Sequence, residues 1–148
     1  MIVADTSALV AIVFNEPERV AFLEAVRASR TLVSLVSAVE ARMVVHGRKG
    51  EAGVILLDDM LRQPAFEIVS PSTREMEIAY DAFVTYGRGS GHAAALNFGD
   101  VFSYALAKSR GAPLLFKGDD FGHTDIECAA SRGLGPPLDQ VGRQRADG

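Results

Sequence analysis

Five carboxylates in this 148-residue chain stand where side chains could do chemistry. Asp5 ends an apolar run, Ile2-Val3-Ala4. Glu40 lies three residues after Ser37, early in the helical segment that follows a second run, Thr31-Leu32-Val33-Ser34-Leu35. Asp100 comes directly after Gly99 and opens another helix. Asp119 and Asp120 follow a third run, Pro113-Leu114-Leu115-Phe116. Brought together, such groups repel one another and the pKa of some of them rises. A hard divalent cation removes the conflict, since Mg²⁺ and Mn²⁺ prefer carboxylate oxygens and keep several waters. An ion of this kind binds a phosphate oxygen and helps generate hydroxide from water. Two of them, about 3.5–4 Å apart, stabilise both the attacking and the leaving oxygen of a phosphodiester.

Each acid also has a plainer reading. Asp5 precedes Thr6-Ser7 and could cap a helix. Ser37 and Glu40 have capping-box spacing, as do Ser72 and Glu75, where no chemistry is expected. Asp100 could serve a helix dipole, and Asp119-Asp120 a polar turn. Their joint order along the chain, not any single acid, favours the metal site.

The elements that must position these acids follow from hydrophobic spacing. A short buried strand precedes Asp5, and a helix carries Ala8 to Val13 with Thr6-Ser7 as its N-cap. A second helix has an apolar stripe of Val20, Phe22, Leu23 and Val26. The strand at 31–35 leads to a helix from Ser37 that stops in the Gly47 to Gly50 segment, and a further helix carries Val54, Leu57, Met60 and Leu61. Phe66-Glu67-Ile68-Val69 is a strand. The helix after it places Met76, Ala79, Tyr80 and Phe83 on one face, read as core. A glycine-rich loop at 87–91 precedes the helix of Asp100, and residues 113–116 form the last strand. Alternating helices and continuously apolar strands predict an α/β fold, its mainly parallel sheet covered on both faces. Ligands in such sheets bind beyond the carboxyl ends of the strands, where these acids stand.

Four segments carry a family resemblance. Ile2-Val3-Ala4-Asp5-Thr6-Ser7-Ala8-Leu9 resembles the opening of VapC-type PIN domains, and Ser37-Ala38-Val39-Glu40 their second motif. Residues 97–107, Asn97-Phe98-Gly99-Asp100 through Ala107, resemble the third. Leu114-Leu115-Phe116-Lys117-Gly118-Asp119-Asp120-Phe121, with Thr124-Asp125-Ile126, resembles the fourth. The resemblance spans residues 2 to 126. It implies a three-layer α/β/α PIN-like domain, taken over residues 1–132; residues 133–148, rich in glycine and proline and without apolar periodicity beyond Leu134, Leu138 and Val141, are expected to form a flexible C-terminal tail. The resemblance implies Mg²⁺, or Mn²⁺ in its place, held by Asp5, Glu40, Asp100 and Asp120. Ser7 would hydrogen-bond within the acid cluster, and Asp119 stands as an adjacent acid. The implied reaction is hydrolysis of RNA phosphodiesters by an endoribonuclease, the toxin of a toxin–antitoxin pair. The implied partners are a cognate VapB-type antitoxin, an RNA substrate, and a second copy in homodimers and larger toxin–antitoxin assemblies.

Composition limits the alternatives. The net charge of −4 argues against a protein that coats nucleic acid by bulk electrostatics; setting the four proposed ligands aside, the remainder is neutral. A single cysteine, Cys128, excludes an internal disulfide and suits a reducing cytoplasm. The start lacks a basic leader pattern, and no apolar run approaches the ~20 residues that span a bilayer, so no membrane role is expected. Arg42, Arg88, His92 and Lys117 are candidate RNA contacts, each weighed against ordinary surface charge. His46 and Arg48 lie on or just past the helix of Glu40. Asp120-Phe121-Gly122 spells a kinase tripeptide without the other kinase motifs, and the glycines at 87, 89 and 91 lack a Walker lysine. A haloacid-type phosphatase wants a second aspartate at position 7, which is serine, and a phosphoaspartate receiver needs no helix-borne Glu. A non-catalytic binding module on the same fold is the remaining alternative, and measured divalent binding separates it from the nuclease.

Overall fold

The computed structural model describes residues 1–130; the expected tail from 133 and the domain boundary at 132 lie outside the described residues. The elements run β1 (Ile2–Ala4), α1 (Thr6–Val13), α2 (Arg19–Ala28), β2 (Thr31–Ser34), α3 (Leu35–Leu61), β3 (Phe66–Val69), α4 (Thr73–Tyr86), α5 (Phe98–Arg110), β4 (Leu114–Leu115), and a 3₁₀ turn at Asp120–His123. The four strands form one parallel sheet in the order β3-β2-β1-β4. The chain therefore builds outward from β1 through β2 to β3, then returns to add β4 on the other side of β1. That reversal makes the carboxyl end of β1 the topological switch point, where α/β sheets open a crevice.

Successive strand residues face opposite sides, and the packing follows this alternation. Val3, Leu32 and Leu114 join α4 and α5 residues such as Ala79, Ala82, Tyr104 and Leu106. Ala4 and Val33 pack with Leu9, Ala41, Val45 and Leu57 of α1 and α3, and Ile2 and Leu115 with Ile12, Phe22 and Val26 of α1 and α2. The result is three layers, α1–α3 on one face and α4–α5 on the other, as the resemblance implied. At the outer edge, β3 is only half-buried. Arg30 and Glu67 form an ion pair there, and edge charges of this kind discourage pairing with another chain.

Several local expectations are corrected. Asp5 itself caps α1, so Thr6-Ser7 lie inside the helix. Leu35 belongs to α3, not to the strand, because Ser34 is the N-cap and accepts from the backbone N–H of Val36. Ser37 therefore caps nothing, and Glu40 stands in the second turn. The expected break in the Gly47 to Gly50 segment is present: the helical run ends at Gly50, which takes φ 61° and ψ −157°, and a further helix follows at once. Val20 is exposed. The expected core face of α4 is also turned outward: Met76, Tyr80 and Phe83 are 57%, 66% and 50% exposed. The helix instead buries the small residues Ala79 and Ala82 and the acid Glu75, which lets it lie close to α5.

The Gly50 conformation is one that only glycine adopts without strain, and forcing a side chain into it costs of the order of 1–3 kcal/mol. Gly50→Ala is therefore expected to lower stability by about that amount. No heavy atom lies near the added methyl, so the loss comes from the backbone alone. Urea unfolding checks it; an unchanged midpoint would mean the kink relaxes without cost.

Candidate active site

Asp5 stands at the carboxyl end of β1 and is 3% exposed. A buried carboxylate is tolerated only with hydrogen-bond donors around it. One oxygen accepts from the Ser7 backbone N–H at 2.9 Å and the Ser7 hydroxyl at 2.7 Å. The other accepts from the Ser103 hydroxyl of α5 at 2.6 Å. Because Ser103 donates to Asp5, its 2.9 Å contact with Ser37 is a bond that Ser37 donates. Ser37 in turn has its carbonyl oxygen bound by the Thr6 hydroxyl at 3.2 Å. The Ser7 oxygen also accepts the Lys117 backbone N–H at 3.0 Å. Ser7 therefore bonds one of the four candidate acids, Asp5. The sequence pattern offers Ser37 only as a helix cap and gives Ser103 no role of its own; both are fully buried hydroxyls at helix positions, and burial is not visible in a motif.

Asp100 lies in the first turn of α5. Its carboxylate accepts the Asn97 N–H at 2.9 Å, while the Asn97 side chain accepts the Asp100 N–H at 2.9 Å, a reciprocal capping box. Glu40 reaches across from α3 and rests against Gly99, where a Cβ would overlap its carboxylate. Asp120 begins the turn after β4. These four acids, with Ser7, Asn97, Arg48, Lys117 and Phe121 among others, line one open cleft of about 350 Å³. A more apolar cavity of about 330 Å³ is lined by Ile2, Ala25, Pro113 and Ala129 and holds none of the four acids. Asp119 is exposed and does not line the cleft.

The candidate RNA contacts fall into two groups. Lys117 lines the cleft, and its ammonium is bound to Glu16 at 2.5 Å and lies 3.4 Å from Glu18. The hydrogen bond to Glu16 is the main reason its pKa is raised. Arg48 also lines the cleft, 3.6 Å from Glu16 and over the Phe14 ring. Arg42 is instead paired with Asp58 at 2.8 Å. His92 packs edge-on against Tyr86 and accepts the Ala94 N–H. Arg42, Arg88 and His92 all stand outside the cleft lining; α3 presents Arg42 to Asp58, and His92 is held against Tyr86 at the end of α4.

The chemistry of the lining suits a hard cation: it offers carboxylate and hydroxyl oxygens, with no thiol and no imidazole. Among the described residues, however, no three Asp, Glu, His or Cys side chains close into a ready-made ion cage. Asp5 and Asp100 are each bound to donors of their own. The conflict among the acids is written in Asp100, whose pKa is pushed from 3.8 up to about 7. Burial is the largest cause, opposed by the Asn97 N–H and reinforced by Asp5, Glu40 and Asp120.

A folded-state pKa raised above the unfolded value means that the native state binds the extra proton, so stability falls as pH rises between the two values. The penalty is absent below the unfolded value of 3.8 and complete above about 7. In chelator-treated protein, Asp100→Asn is expected to melt with the wild type near pH 4 and above it at pH 8. The amide oxygen can still accept the Asn97 N–H. Parallel melting curves from pH 4 to 8 would refute this account of Asp100.

Comparison with known proteins bears on the family and the fold. The PIN-domain family model matches residues 2–127. Ribonuclease VapC30 of Mycobacterium tuberculosis is 46% identical over 129 residues, covering 86% of this chain and 98% of that protein. The crystal structure of VapC20 from M. tuberculosis, described as a sarcin–ricin loop cleaving toxin, superposes with a TM-score of 0.70 at 15% identity, over 85% of this chain and 96% of that one. A toxin–antitoxin complex from Klebsiella pneumoniae gives 0.57 at 18% identity, over 82% and 90%. At such identities the two structures bear on the fold alone, and the fold, the family model and the VapC30 likeness agree: the chain belongs to the PIN-domain family, as a relative of the VapC ribonucleases.

Proposed function

We propose that this protein is a Mg²⁺-dependent endoribonuclease acting as the toxin of a toxin–antitoxin pair, with Asp5, Glu40, Asp100 and Asp120 as metal ligands and Mn²⁺ as a substitute. The observation that carries the reading is the electrostatic conflict in the cleft. Four acids from four separate elements line one site, and three of them raise the pKa of the fourth. Structural carboxylates are paired or dispersed; unpaired ones drawn together indicate a function that needs them. When bound, the ion would supply a phosphate-binding charge and a more acidic water.

The chain's own groups have definable tasks. Ser7 and Ser103 occupy fixed lone pairs of Asp5 and so orient the carboxylate. Gly99 gives Glu40 room to reach the cleft. Lys117 and Arg48, on the rim, offer charge to an RNA phosphate, which positions a substrate without reading its sequence. Arg42, Arg88 and His92 would meet only RNA beyond the scissile phosphate. Support for a partner lies in large apolar side chains left exposed: Met76, Tyr80, Phe83 and Val84 on α4, and Val39 and Met43 on α3. Apolar groups left in water in such number mark interaction surfaces, and a VapB-type antitoxin and a second copy of the chain are the proposed occupants. None of the described helices is long and apolar enough to cross a membrane, and the proposed location is the cytoplasm.

The direct test is cleavage of a mixed cellular RNA pool in Mg²⁺, Mn²⁺ or EDTA. Discrete fragments are expected only with metal. Asp100→Asn should lose about 10²-fold or more, since metal stabilisation of the transition state is worth several kcal/mol and each ~1.4 kcal/mol is tenfold. Folded, antitoxin-free protein that cuts nothing in any of these conditions would move the reading to a binding module. Gly99→Ala offers a finer check. The atoms it would strike are the far end of a flexible side chain, so the melting temperature should barely change while cleavage falls as Glu40 is displaced. Full activity in that variant would remove Glu40 from the proposed ligand set.

A further inference from the structure

Asp120 rides on an exposed turn, an insecure place for a group that must meet three others. The turn carries its own internal ties. Phe121 is buried against Phe116, the Thr124 hydroxyl donates to the Phe121 carbonyl at 2.7 Å, and the Ile126 N–H donates to the Thr124 hydroxyl at 3.3 Å. At its leading end the Lys117 N–H is bound to Ser7, which holds Asp5. At its trailing end stands Asp125. One Asp125 oxygen accepts the Tyr104 hydroxyl at 2.6 Å and the other accepts the Lys108 ammonium at 2.5 Å. Tyr104 and Lys108 are one turn apart on α5, and Asp100 lies one turn before Tyr104 on the same helix.

We infer that Asp125 is a positioning residue: by gripping Tyr104 and Lys108 it locks the turn that bears Asp120 onto the helix that bears Asp100. The inference rests on the metal-site reading above. Asp125 is no ligand itself, since it does not line the cleft and both of its oxygens are engaged elsewhere. The grip pairs a half-exposed ion pair to Lys108 with a part-buried hydrogen bond from Tyr104. Lys108 first, and Tyr104 second, hold the Asp125 carboxyl below its ordinary range. Burial, then the bond to Asp125, pushes the Tyr104 phenol far above its own. Through this contact the separation of Asp100 and Asp120 is set by one helix instead of by loop motion. Ser7 does the same at the other end, tying the turn to Asp5. The three acids then belong to one mechanical unit.

The test is Mn²⁺ affinity by calorimetry, on the full chain, without reference to cleavage. Asp125→Ala should weaken Mn²⁺ binding about 10-fold or more, the usual effect of losing a group that orients ligands. Lys108→Met and Asp125→Asn should fall between, the latter because its amide oxygen still accepts the Tyr104 hydroxyl. A double-mutant cycle separates positioning from mere destabilisation. If Asp125 acts through Asp120, adding Asp125→Ala to Asp120→Asn should cost little further affinity. Gly50→Ala, destabilised far from this contact, should bind Mn²⁺ as the wild type does. Unchanged affinity in folded Asp125→Ala and Lys108→Met, or losses that add fully in the cycle, would overturn the inference. A wild type that binds no Mn²⁺ would instead overturn the metal-site reading beneath it.

Discussion

The buried carboxylate of Asp5 is the constraint on which the rest of the molecule depends. A charge with 3% of its surface exposed would be costly without partners, and hydrogen bonds to charged groups are the stronger kind. Each partner comes from a different part of the chain. Ser7 lies in the first turn of α1, Ser103 mid-way along α5, Ser37 reaches the network from α3, and the Lys117 N–H joins it from the turn after β4. Both helical layers and the sheet therefore meet at one acid. The parallel sheet makes this meeting unavoidable, because β1 is central and its carboxyl end is where the strand order reverses.

Around that anchor the molecule accepts a local instability. Asp100, Glu40 and Asp120 line one cleft with Asp5, Asp100 from a capping box, Glu40 against a glycine and Asp120 from the turn after β4. The nearest cations, Arg48 and Lys117, are taken up by Glu16 and Glu18 on the rim. The balance of charge thus favours the rim for pairing and leaves the floor of the cleft acidic. Sites built for chemistry commonly violate the local rules that stabilise a fold, and here the violation is confined to four side chains on a well-packed frame.

Much of this was legible in the chain itself. Asp5, Glu40, Asp100 and the pair Asp119-Asp120 stood out because acids at strand ends and helix starts break the apolar pattern, and the family resemblance, aligned on Phe121, chose Asp120 of the pair. The order of strands and helices followed from spacing, and so did the capping box at Ser72 and Glu75. Other readings failed for identifiable reasons. Ser37 and Glu40 have the same spacing as that box, yet Ser34 takes the cap, because short-range patterns recur where the helix has already begun. Met76, Tyr80 and Phe83 share a helical face, but periodicity tells which residues lie together and not whether anything covers them. Arg42 is two residues from Glu40 in sequence and on another side of the helix, since each residue turns the helix by more than a quarter of a circle.

What the sequence by itself determined is therefore local: which segments are strands and helices, which ends they present, and which carboxylates stand at those ends. These depend on periodicity and on neighbours within a few positions. Only the tertiary structure decided the rest. Ser103 bonds Asp5 across 98 positions and Lys117 bonds Ser7 across 110. Gly99 matters only because Glu40, from another layer, rests against it, and Asp125 only because α5 passes beside its turn. A contact between distant residues has no signature in the spacing of either partner; it exists once the sheet has brought both to the same edge.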